Sequence, residues 1–495
     1  MSDQSGTRIV AVSNRLPITL KRKNGEWVVE PGSGGLVTAL APVLGNRGGL
    51  WIGWPGTVEQ VDADLKELFA KASIETGYNL LPLFLSQKEV DNYYHGFSNE
   101  IIWPLFHDLQ TRANFVPEYW YSYLEVNRKF AHLVAKKTSN ADYIWVHDYH
   151  LMFLARFLKE MGTGRRSGFF LHIPFPPVDI FMKLPWRVEI LRALLDYDLI
   201  GFQTMRDRRN FTQCLQYVSD NIKINGRGMV VSVNYRERQT RLGAFPISID
   251  VDEFAKGAAS KVVTDESWYL HEQLPERKIL LGIDRLDYTK GIPERLEAFR
   301  NALERFPDMH RKVSLMQVVV PSREGVPEYQ ALRSHIEQLV SEINGHFTTM
   351  GWIPIHYIYR NLSRNELLAA YRTAEIGLIT PLKDGMNLVA KEYCACQLEE
   401  DGVLILSEFA GAAAQLFKDA LIVNPYDIEG VAEAIHKAFV MPVEERKTRM
   451  KKLRENIRKF DIYRWVDSFL LAAFARQLGD FPMVDDFSPV VDFDI

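Results

Sequence analysis

Residues 278–285 read KILLGIDR, a run of apolar residues that ends in an aspartate and an arginine. A strand that is buried on both faces of a parallel sheet has such a continuous apolar pattern. Longer segments of helical period separate eight similar runs: RIVAVSN (8–14), YIWVHD (143–148), GFFLHIP (168–174), DLIGFQT (198–204), VSLMQVVVPSR (313–323), IGLITP (376–381), VLILSEF (403–409) and ALIVNPYD (420–427). The pattern predicts two α/β domains, 1–245 and 246–461, with a boundary near Pro246.

Polar residues follow nearly all of these predicted strands. They are Asn14-Arg15, His147-Asp148, His172, Gln203, Asp284-Arg285, Ser322-Arg323 and Lys383-Asp384. Ligands of open parallel sheets bind beyond the carboxyl ends of the strands. One such residue could simply end its strand, but the recurrence at seven ends predicts that functional groups collect there.

The composition excludes several classes of protein. The 495 residues carry 59 lysines and arginines against 63 aspartates and glutamates, a net charge of −4, which disfavours a nucleic-acid partner. Three cysteines, Cys214, Cys394 and Cys396, are too few for a disulfide framework. No stretch is apolar enough for a secretory signal or a membrane span, so we expect a cytoplasmic protein without a membrane partner. Residues 479–495 contain five aspartates and no lysine or arginine, which predicts a flexible acidic tail.

The common nucleotide-binding motifs do not match. GSGGLV (32–37) has Val37 where the dinucleotide fingerprint requires a third small residue, and no GxxxxGK[ST] segment occurs. A nicotinamide enzyme and a P-loop nucleotidase are therefore disfavoured. Gly34-Gly35 could allow the backbone to approach a ligand, or could form a plain turn.

The segment TPLKDGMNLVAKE (380–392) joins a predicted strand to a helix that we expect to begin near Met386. The backbone N–H groups of residues 385–388 would then face a bound anion, assisted by the helix dipole. Glu392 would lie one turn further along the same face, where it could accept from two ribose hydroxyls. The alternative is a solvated helix glutamate.

Two other groups of residues fit an anionic sugar substrate. In DRLDYTKG (284–291), Arg285 and Lys290 could neutralise a diphosphate, or could form ion pairs with Asp284 or Asp287. In the N-terminal half, Asn14-Arg15 precedes WIGW (51–54), Tyr93-Tyr94 and Trp103. Aromatic rings and arginines suit a sugar phosphate, although such rings can equally be core residues.

Eleven motifs occur in the same order as in a known family. They are VSNRLP, GGL, WIGWPG, YYHGFSN, WVHDYHL, FFLHIPFP, DYDLIGFQT, DRLDYTKGIPER, PLKDGMNLVAKEY, SEFAGAA and VNPYD. The sequence thus resembles the trehalose-6-phosphate synthases, retaining glycosyltransferases of the GT-B type. The resemblance implies two Rossmann-like parallel-sheet domains that face each other across a cleft. It also implies glucosyl transfer from UDP-glucose to glucose 6-phosphate in trehalose biosynthesis, as part of the stress response.

The resemblance assigns roles to individual residues. The donor site would comprise Gly35, Arg285, Lys290, Asp384, Gly385, Met386, Asn387, Leu388 and Glu392. The acceptor site would comprise Arg15, Trp54, Tyr94, Trp103, Asp148 and Arg323. The residues at the reaction centre would be Asp148, His172, Arg285, Lys290 and Asp384. Charge stabilisation of the departing UDP, without a covalent glycosyl intermediate, would then account for most of the catalysis.

Further expectations concern partners and alternatives. We expect no cofactor and no metal, because HxxH at His147 and His150 lacks further zinc ligands. The resemblance implies a helix at 462–478 that crosses back to the first domain, a homo-oligomer, and association with a trehalose-phosphate phosphatase or regulatory subunits. The alternatives are a non-catalytic regulatory subunit of a trehalose-synthesising complex and a transferase with another acceptor, such as glycerol 3-phosphate.

Overall fold

The computed structural model describes residues 7–475 except 24–25, 33–36, 38–39, 42–43, 46–47, 59–62, 275 and 323–325. Within this part the chain forms two compact units. Unit 1 comprises the residues up to Ile247 and the segment that begins at Tyr463, and unit 2 comprises Ser248–Ile462. Three expectations, for Gly35, Arg323 and the tail 479–495, lie outside the described residues.

Unit 1 is built on a nine-stranded sheet and a separate hairpin. Its strands are β1 (Ile9–Arg15), β2 (Ile18–Lys23), β3 (Glu26–Pro31), β4 (Leu50–Trp54), β5 (Asn79–Pro82), β6 (Tyr143–His147), β7 (Arg166–Phe170), β8 (Leu199–Phe202), β9 (Lys223–Asn225), β10 (Val230–Tyr235) and β11 (Arg238–Ala244). The sheet order is β5-β4-β1-β6-β7-β8-β11-β10-β9, and β2 pairs with β3 in the hairpin. The sheet is parallel except at β10, which is antiparallel to β11 and β9.

Unit 2 has a six-stranded, fully parallel sheet. Its strands are β12 (Lys278–Arg285), β13 (Val313–Val320), β14 (Ile355–Tyr359), β15 (Ile376–Ile379), β16 (Val403–Ser407) and β17 (Leu421–Val423), in the order β14-β13-β12-β15-β16-β17. In chain order the first six parallel strands of either unit are arranged 3-2-1-4-5-6, the dinucleotide-fold order. The switch point, where the order reverses, lies between β1 and β6 in unit 1 and between β12 and β15 in unit 2.

Helices connect these strands. In unit 1 the α-helices are Ala63–Thr76, Gln87–Glu89, Trp103–Phe106, Pro117–Lys137, Leu154–Glu160, Val178–Phe181, Arg187–Leu194, Met205–Val218 and Ile462–Phe474, with a π-helix at Val90–Ile102 and 3₁₀ turns at Gln110–Arg112 and Tyr149–Leu151. In unit 2 they are Val251–Ala258, Lys261–Gln273, Ile292–Arg305, Pro327–Phe347, Arg364–Thr373, Leu388–Cys396, Ala413–Leu416, Ile428–Val440 and Val443–Lys459, with 3₁₀ turns at Tyr288–Lys290 and Pro307–Met309. Among the described helices, none is long and apolar enough to cross a membrane.

All nine apolar runs form strands, and β12 has the bounds of its run, 278–285. No strand was predicted at β14, whose residues IHYIY are mostly half-buried and lack a continuous apolar pattern. No strand was predicted at β4 either, because its aromatic residues were interpreted as a ligand motif. Antiparallel β9 and β10 extend the unit 1 sheet beyond the parallel pattern on which the prediction relied.

The helix Ile462–Phe474 packs against the unit 1 sheet. The Phe469 ring stacks on Trp145 at 4.5 Å, and Trp465 Nε1 donates to the Phe245 carbonyl at 3.1 Å. A Cβ atom on Gly168 or Gly201 would lie about 2.9 Å from the Phe469 ring, so both strands need glycine at this contact. The last part of the predicted helix, 476–478, lies outside the described residues.

Candidate functional site at two strand switch points

A buried arginine holds the strand ends of unit 2 together. The Arg295 side chain has 0% exposure, and its Nη1 lies 2.7 Å from Asp284 Oδ2 at the end of β12. The same guanidinium donates to Gln317 Oε1 in β13 at 3.3 Å and to Thr380 Oγ1, just after β15, at 3.1 Å. Burial raises the pKa of Asp284, and the Arg295 charge offsets part of this effect. Because either charge alone would be costly in this interior, the two must occur together.

Backbone hydrogen bonds join the loops that follow β12 and β15. The Thr289 carbonyl accepts from the N–H groups of Leu382 at 2.9 Å and Lys383 at 3.2 Å. Gly291 has φ +63°, and a Cβ atom there would lie 2.7 Å from the Thr380 carbonyl oxygen. Glycine is therefore required where the two loops meet.

This junction places Lys290 beside Asp384. Lys290 Nζ lies 2.6 Å from Asp384 Oδ2, and both side chains are largely buried. The alternative ion pairs, with Asp284 or Asp287, do not form: Asp284 binds Arg295, and Asp287 Oδ1 accepts from the N–H and hydroxyl of Thr289. Lys290 and Asp384, which are 94 residues apart in the sequence, thus form one charged pair at the switch point.

Arg285 has a different environment. Its side chain is exposed at the end of β12. With the residues that the structure describes, its guanidinium forms neither an ion pair nor a hydrogen bond. An unpaired guanidinium offers five donors to an anion, and its planar fork matches phosphate oxygens.

The expected anion site at residues 385–388 differs from the prediction in two respects. The helix begins at Leu388, not near Met386, because Asn387 adopts a left-handed conformation (φ +60°) and caps the Ala390 N–H at 3.1 Å. Asp384 Oδ1 accepts from the N–H groups of Met386 at 3.1 Å and Asn387 at 3.2 Å. Two of the four amides that were expected to face a ligand are therefore bound to a carboxylate of the protein.

The physical reason for this correction is local. An aspartate readily accepts hydrogen bonds from the backbone two or three residues later, and the positive end of the helix favours its charge. The N–H groups of Gly385 and Leu388 donate to no group among the described residues. Arg285, Lys290, Asp384, Asn387 and Glu392 are called the Asp384 cluster below.

Glu392 lies on the helix that begins at Leu388. Its Oε2 accepts from the Tyr371 hydroxyl at 2.8 Å. Burial raises the pKa of Glu392, while the Tyr371 hydrogen bond lowers it. The solvated helix glutamate of the alternative interpretation is therefore not found, because Glu392 is half-buried and held by a neighbouring helix.

Lys391, the residue before Glu392, was not among the predicted site residues. Lys391 is 2% exposed, and its Nζ donates to Gln415 Oε1 at 2.5 Å. Burial lowers the pKa of Lys391 to about 7. Sequence pattern could not identify it, because a lysine on a short helix is normally solvated.

At the switch point of unit 1, Arg15 ends β1 beside two of the expected aromatic residues. Its guanidinium lies 4.6 Å from the centre of the Trp54 ring, and Trp54 packs edge-on against Tyr94 at 5.8 Å. Burial lowers the pKa of Arg15, although a guanidinium keeps its charge in proteins. The structure thus brings Arg15, Trp54 and Tyr94 together.

A series of contacts between aromatic rings connects Tyr94 to Trp103. Tyr94 stacks on His150 at 6.0 Å, His150 stacks on Tyr149 at 4.0 Å, and Tyr149 contacts Trp103 at 6.0 Å. His150 and Tyr149 were not among the predicted acceptor residues. The WVHDYHL motif contains both, but only the fold shows that they bridge two distant aromatic segments.

Asp148 follows β6 and has a strained backbone. Its φ of +73° and ψ of 165° fall in a region that is populated almost only by glycine. The Asp148 N–H donates to the Phe170 carbonyl at 2.7 Å, and its Oδ1 accepts from the His172 N–H at 3.2 Å. Strain of about 1–3 kcal/mol of this kind persists where the surroundings determine the conformation, often at functional sites.

His172 lies after β7, and both ring nitrogens contact protein groups. Its Nε2 is 3.1 Å from His147 Nδ1, and its Nδ1 is 3.3 Å from Gln203 Nε2. The ring is 2% exposed, and burial lowers its pKa to about 3. The ring therefore has no free nitrogen for acid or base catalysis. His147, Asp148, His172 and Gln203 are called the His172 cluster below.

Comparisons with known proteins place the chain in a family. The model of glycosyltransferase family 20 matches residues 7–474. The chain belongs to glycosyltransferase family 20. It is 42% identical over 468 residues to the UDP-forming alpha,alpha-trehalose-phosphate synthase of Candida albicans, covering 94% of this chain and 96% of that protein. A similarly named protein of Dictyostelium discoideum is 42% identical over 92% of this chain. This chain spans only 61% of the length of that protein.

Solved structures of family members are also similar. A Burkholderia xenovorans alpha,alpha-trehalose-phosphate synthase in complex with glucose-6-phosphate has a TM-score of 0.84 and 36% identity, covering 94% of this chain and 99% of that one. An E. coli structure bound with UDP-2-fluoro glucose has a TM-score of 0.84 and 37% identity, with the same coverage. The likeness extends over both units. The predicted glycosyltransferase and its GT-B class of two Rossmann-like α/β domains are confirmed.

The backbone strain at Asp148 can be measured by two substitutions. Asp148→Gly and Asp148→Ala both remove the carboxylate, but only glycine tolerates the observed φ and ψ. We expect the glycine variant to be more stable by about 1–3 kcal/mol, which reverses the usual order of the two residues. Urea denaturation of both variants measures this difference. An alanine variant as stable as the glycine variant would contradict the strain.

The buried Lys391 predicts a pH dependence of stability. Between about pH 7 and 10 the unfolded chain binds a proton at Lys391 that the folded chain does not, since its folded pKa is about 7. The free energy of unfolding should therefore rise with pH, by up to about 1.4 kcal/mol per pH unit, and this rise should vanish below the folded pKa. Urea denaturation across this range should show a smaller slope for Lys391→Met than for the parent protein. Equal slopes would show that Lys391 titrates normally.

Proposed function

We propose that the protein is a UDP-forming alpha,alpha-trehalose-phosphate synthase that transfers glucose from UDP-glucose to glucose 6-phosphate with retention. The activity predicted from the sequence agrees with the family match and with the names of relatives that share about 42% identity over most of the chain. We further propose that the Asp384 cluster binds the donor and that the residues around Arg15 bind the acceptor.

We assign the donor site to the Asp384 cluster because of the positions of its charged side chains. Arg285 is exposed and has no partner in the described part of the chain, while Lys290 is paired with Asp384. Two cations within one short loop can neutralise the diphosphate of UDP-glucose. Glu392, held by Tyr371, would accept from the ribose hydroxyls.

The Lys290–Asp384 pair suggests how the donor is received. Lys290 and Asp384 neutralise each other's charge, and Asp384 also binds the N–H groups of Met386 and Asn387. An arriving diphosphate would compete for Lys290, and hydroxyls of the donor glucose would compete for the Asp384 carboxylate. The amides of Gly385 and Leu388 remain as further donors to the ligand. Binding would thus exchange internal partners for substrate groups and bury no unpaired charge.

Catalysis would then depend mainly on stabilising the leaving group. As the bond between glucose and UDP breaks, negative charge develops on the diphosphate, where Arg285, Lys290 and the free amides can stabilise it. The attacking hydroxyl of the acceptor would transfer its proton toward the departing phosphate. The buried His172 ring does not take part in this proton transfer, since both nitrogens are bound. Asp148, oriented by the His172 N–H, would bind sugar hydroxyls at the reaction centre.

The unit 1 residues suit a sugar phosphate. Arg15 supplies a planar cation, and the rings of Trp54, Tyr94 and Trp103 supply apolar surfaces for the C–H faces of a hexose. Arg323, which lies outside the described residues, remains a predicted phosphate ligand. Oligomerisation, association with a phosphatase or regulatory subunits, and the cytoplasmic location likewise stay predictions.

Release of UDP from several nucleotide sugars, each with several sugar phosphates, tests the activity. We expect turnover with UDP-glucose and glucose 6-phosphate, and little with glycerol 3-phosphate. Binding of UDP-glucose without UDP release would favour the regulatory subunit. Efficient use of glycerol 3-phosphate would favour the other transferase.

Removing either donor cation should impair transfer. Arg285→Ala and Lys290→Ala should each lower kcat/KM for UDP-glucose by about 10²- to 10³-fold, because charge on the leaving diphosphate loses a partner. The matched control is Arg305→Ala, which removes an arginine of unit 2 that pairs with the exposed Glu433. Steady-state kinetics of UDP release measure the effect. A change within about threefold for both cluster variants would contradict the donor site.

Removing Arg15 should affect the acceptor selectively. Arg15→Ala should raise the KM for glucose 6-phosphate by about 10- to 100-fold, the usual range for a hydrogen bond to a charged group. The KM for UDP-glucose should stay nearly constant. Arg156→Ala, which removes exposed ion pairs of unit 1, is the control. Equal effects of Arg15→Ala on both substrates would contradict the acceptor assignment.

A further inference from the structure

A chain of hydrogen bonds runs through the interior of unit 1 and ends at a backbone amide. The Ile247 N–H donates to Gln203 Oε1 at 2.9 Å, and Gln203 Nε2 contacts His172 Nδ1 at 3.3 Å. His172 Nε2 in turn contacts His147 Nδ1 at 3.1 Å. All four residues are buried, with at most 2% exposure. Ile247 is also the last residue of unit 1 before the chain enters unit 2.

The direction of this chain follows from its first member. A backbone N–H can only donate, so the Gln203 oxygen must face Ile247 and the Gln203 NH₂ group must face His172. His172 Nδ1 is then the acceptor, and its proton must be on Nε2, which donates to His147 Nδ1. The His147 proton is therefore on Nε2, an atom without a hydrogen-bond partner among the described residues.

The chain also requires both imidazoles to be neutral. A doubly protonated His172 would point an N–H at the Gln203 NH₂ group, which cannot accept. Burial lowers the pKa of His172 to about 3 and that of His147 well below its ordinary value. Each ring thus has one defined tautomer rather than a mixture.

We propose that Gln203 is a positioning residue for the transfer reaction. Its hydrogen bond holds the His172 ring in place and in the Nε2–H tautomer, and the anchored side chain in turn positions the His172 backbone N–H that binds the Asp148 carboxylate. Gln203 itself is fully enclosed, and both ends of its amide bind protein groups, so it acts through His172. The inference rests on the proposed role of Asp148 at the reaction centre.

The substitution Gln203→Glu tests this role with almost no change in shape. An ionised carboxylate has no hydrogen to donate, so one oxygen can still accept from the Ile247 N–H but the other can only accept from His172. The His172 proton must then move to Nδ1, and His147 must donate from its own Nδ1. The chain would therefore reverse its direction.

Two measurements report the result. In protein labelled with ¹⁵N-histidine, NMR distinguishes protonated from unprotonated ring nitrogens, and the His172 signals are assigned by their absence in His172→Gln. We expect Nε2–H in the parent protein and Nδ1–H in Gln203→Glu. Gln203→Met removes both hydrogen bonds of the amide, so for this variant we expect kcat to fall by about 10- to 100-fold, while both KM values change by less than about threefold.

Asn344→Asp is the matched control. Asn344 also accepts from a backbone N–H, that of Ile355 at 2.9 Å, and donates to a backbone carbonyl. Asn344 lies on the helix Pro327–Phe347, and its partner Ile355 is at the amino end of β14, the end of the strand opposite to the switch-point loops. The same amide-to-carboxylate change there should leave kcat unchanged. If Gln203→Glu does not fold, the tautomer assignment is tested by Gln203→Met, which should give mixed His172 tautomers.

The possible failures are distinct. A parent His172 that is protonated on Nδ1, or on both nitrogens, would overturn the tautomer assignment without affecting the proposed function. An unchanged kcat in folded Gln203→Met would overturn the positioning role. Full activity of Asp148→Asn, with tautomers as expected, would instead contradict the proposed reaction centre.

Discussion

The loops of unit 2 that carry Lys290 and Asp384 depend on the hydrogen bonds of the Arg295 guanidinium. It is fully enclosed and contacts Asp284 near the end of β12, Gln317 within β13 and Thr380 just after β15, on three adjacent strands. A Cβ atom on Gly282 would lie 2.8 Å from Arg295 Nη1, so a larger residue there would displace the guanidinium. A buried ion pair adds little net stability, but it imposes one geometry. That geometry sets the start of the loops that carry Lys290 and Asp384.

In unit 1 the strand ends are held together by neutral side chains and not by a buried ion pair. At its strand ends the neutral side chains of His147, His172 and Gln203 connect β6, β7 and β8, and the direction of their hydrogen bonds follows from one backbone N–H. The His172 backbone N–H donates to the carboxylate of the strained Asp148 and so connects this residue to the network. In both units, therefore, buried side chains connect the strand ends next to which Asp148 and Asp384 lie.

The sequence predicted individual site residues but not the side chains with which they pair. It placed Lys290 and Asp384 in two separate motifs, and offered Asp284 or Asp287 as the counter-ion of Lys290. Local spacing favours near neighbours, whereas the actual pair joins loops 94 residues apart. At residues 385–388 all four amides were predicted to face a ligand, whereas in the structure Asp384 accepts from two of them.

The sequence by itself determined the nine strands that form from apolar runs, the α/β class and the strand ends at which polar residues collect, because each depends on a short local pattern. It also determined the family, which depends on the order of the motifs. The structure alone decided which residues meet at the switch points. Strand order brings β1 beside β6 and β12 beside β15, although each pair is far apart in the chain. Burial then set the protonation of His172 and Lys391, since a pKa depends on surroundings that come from many segments.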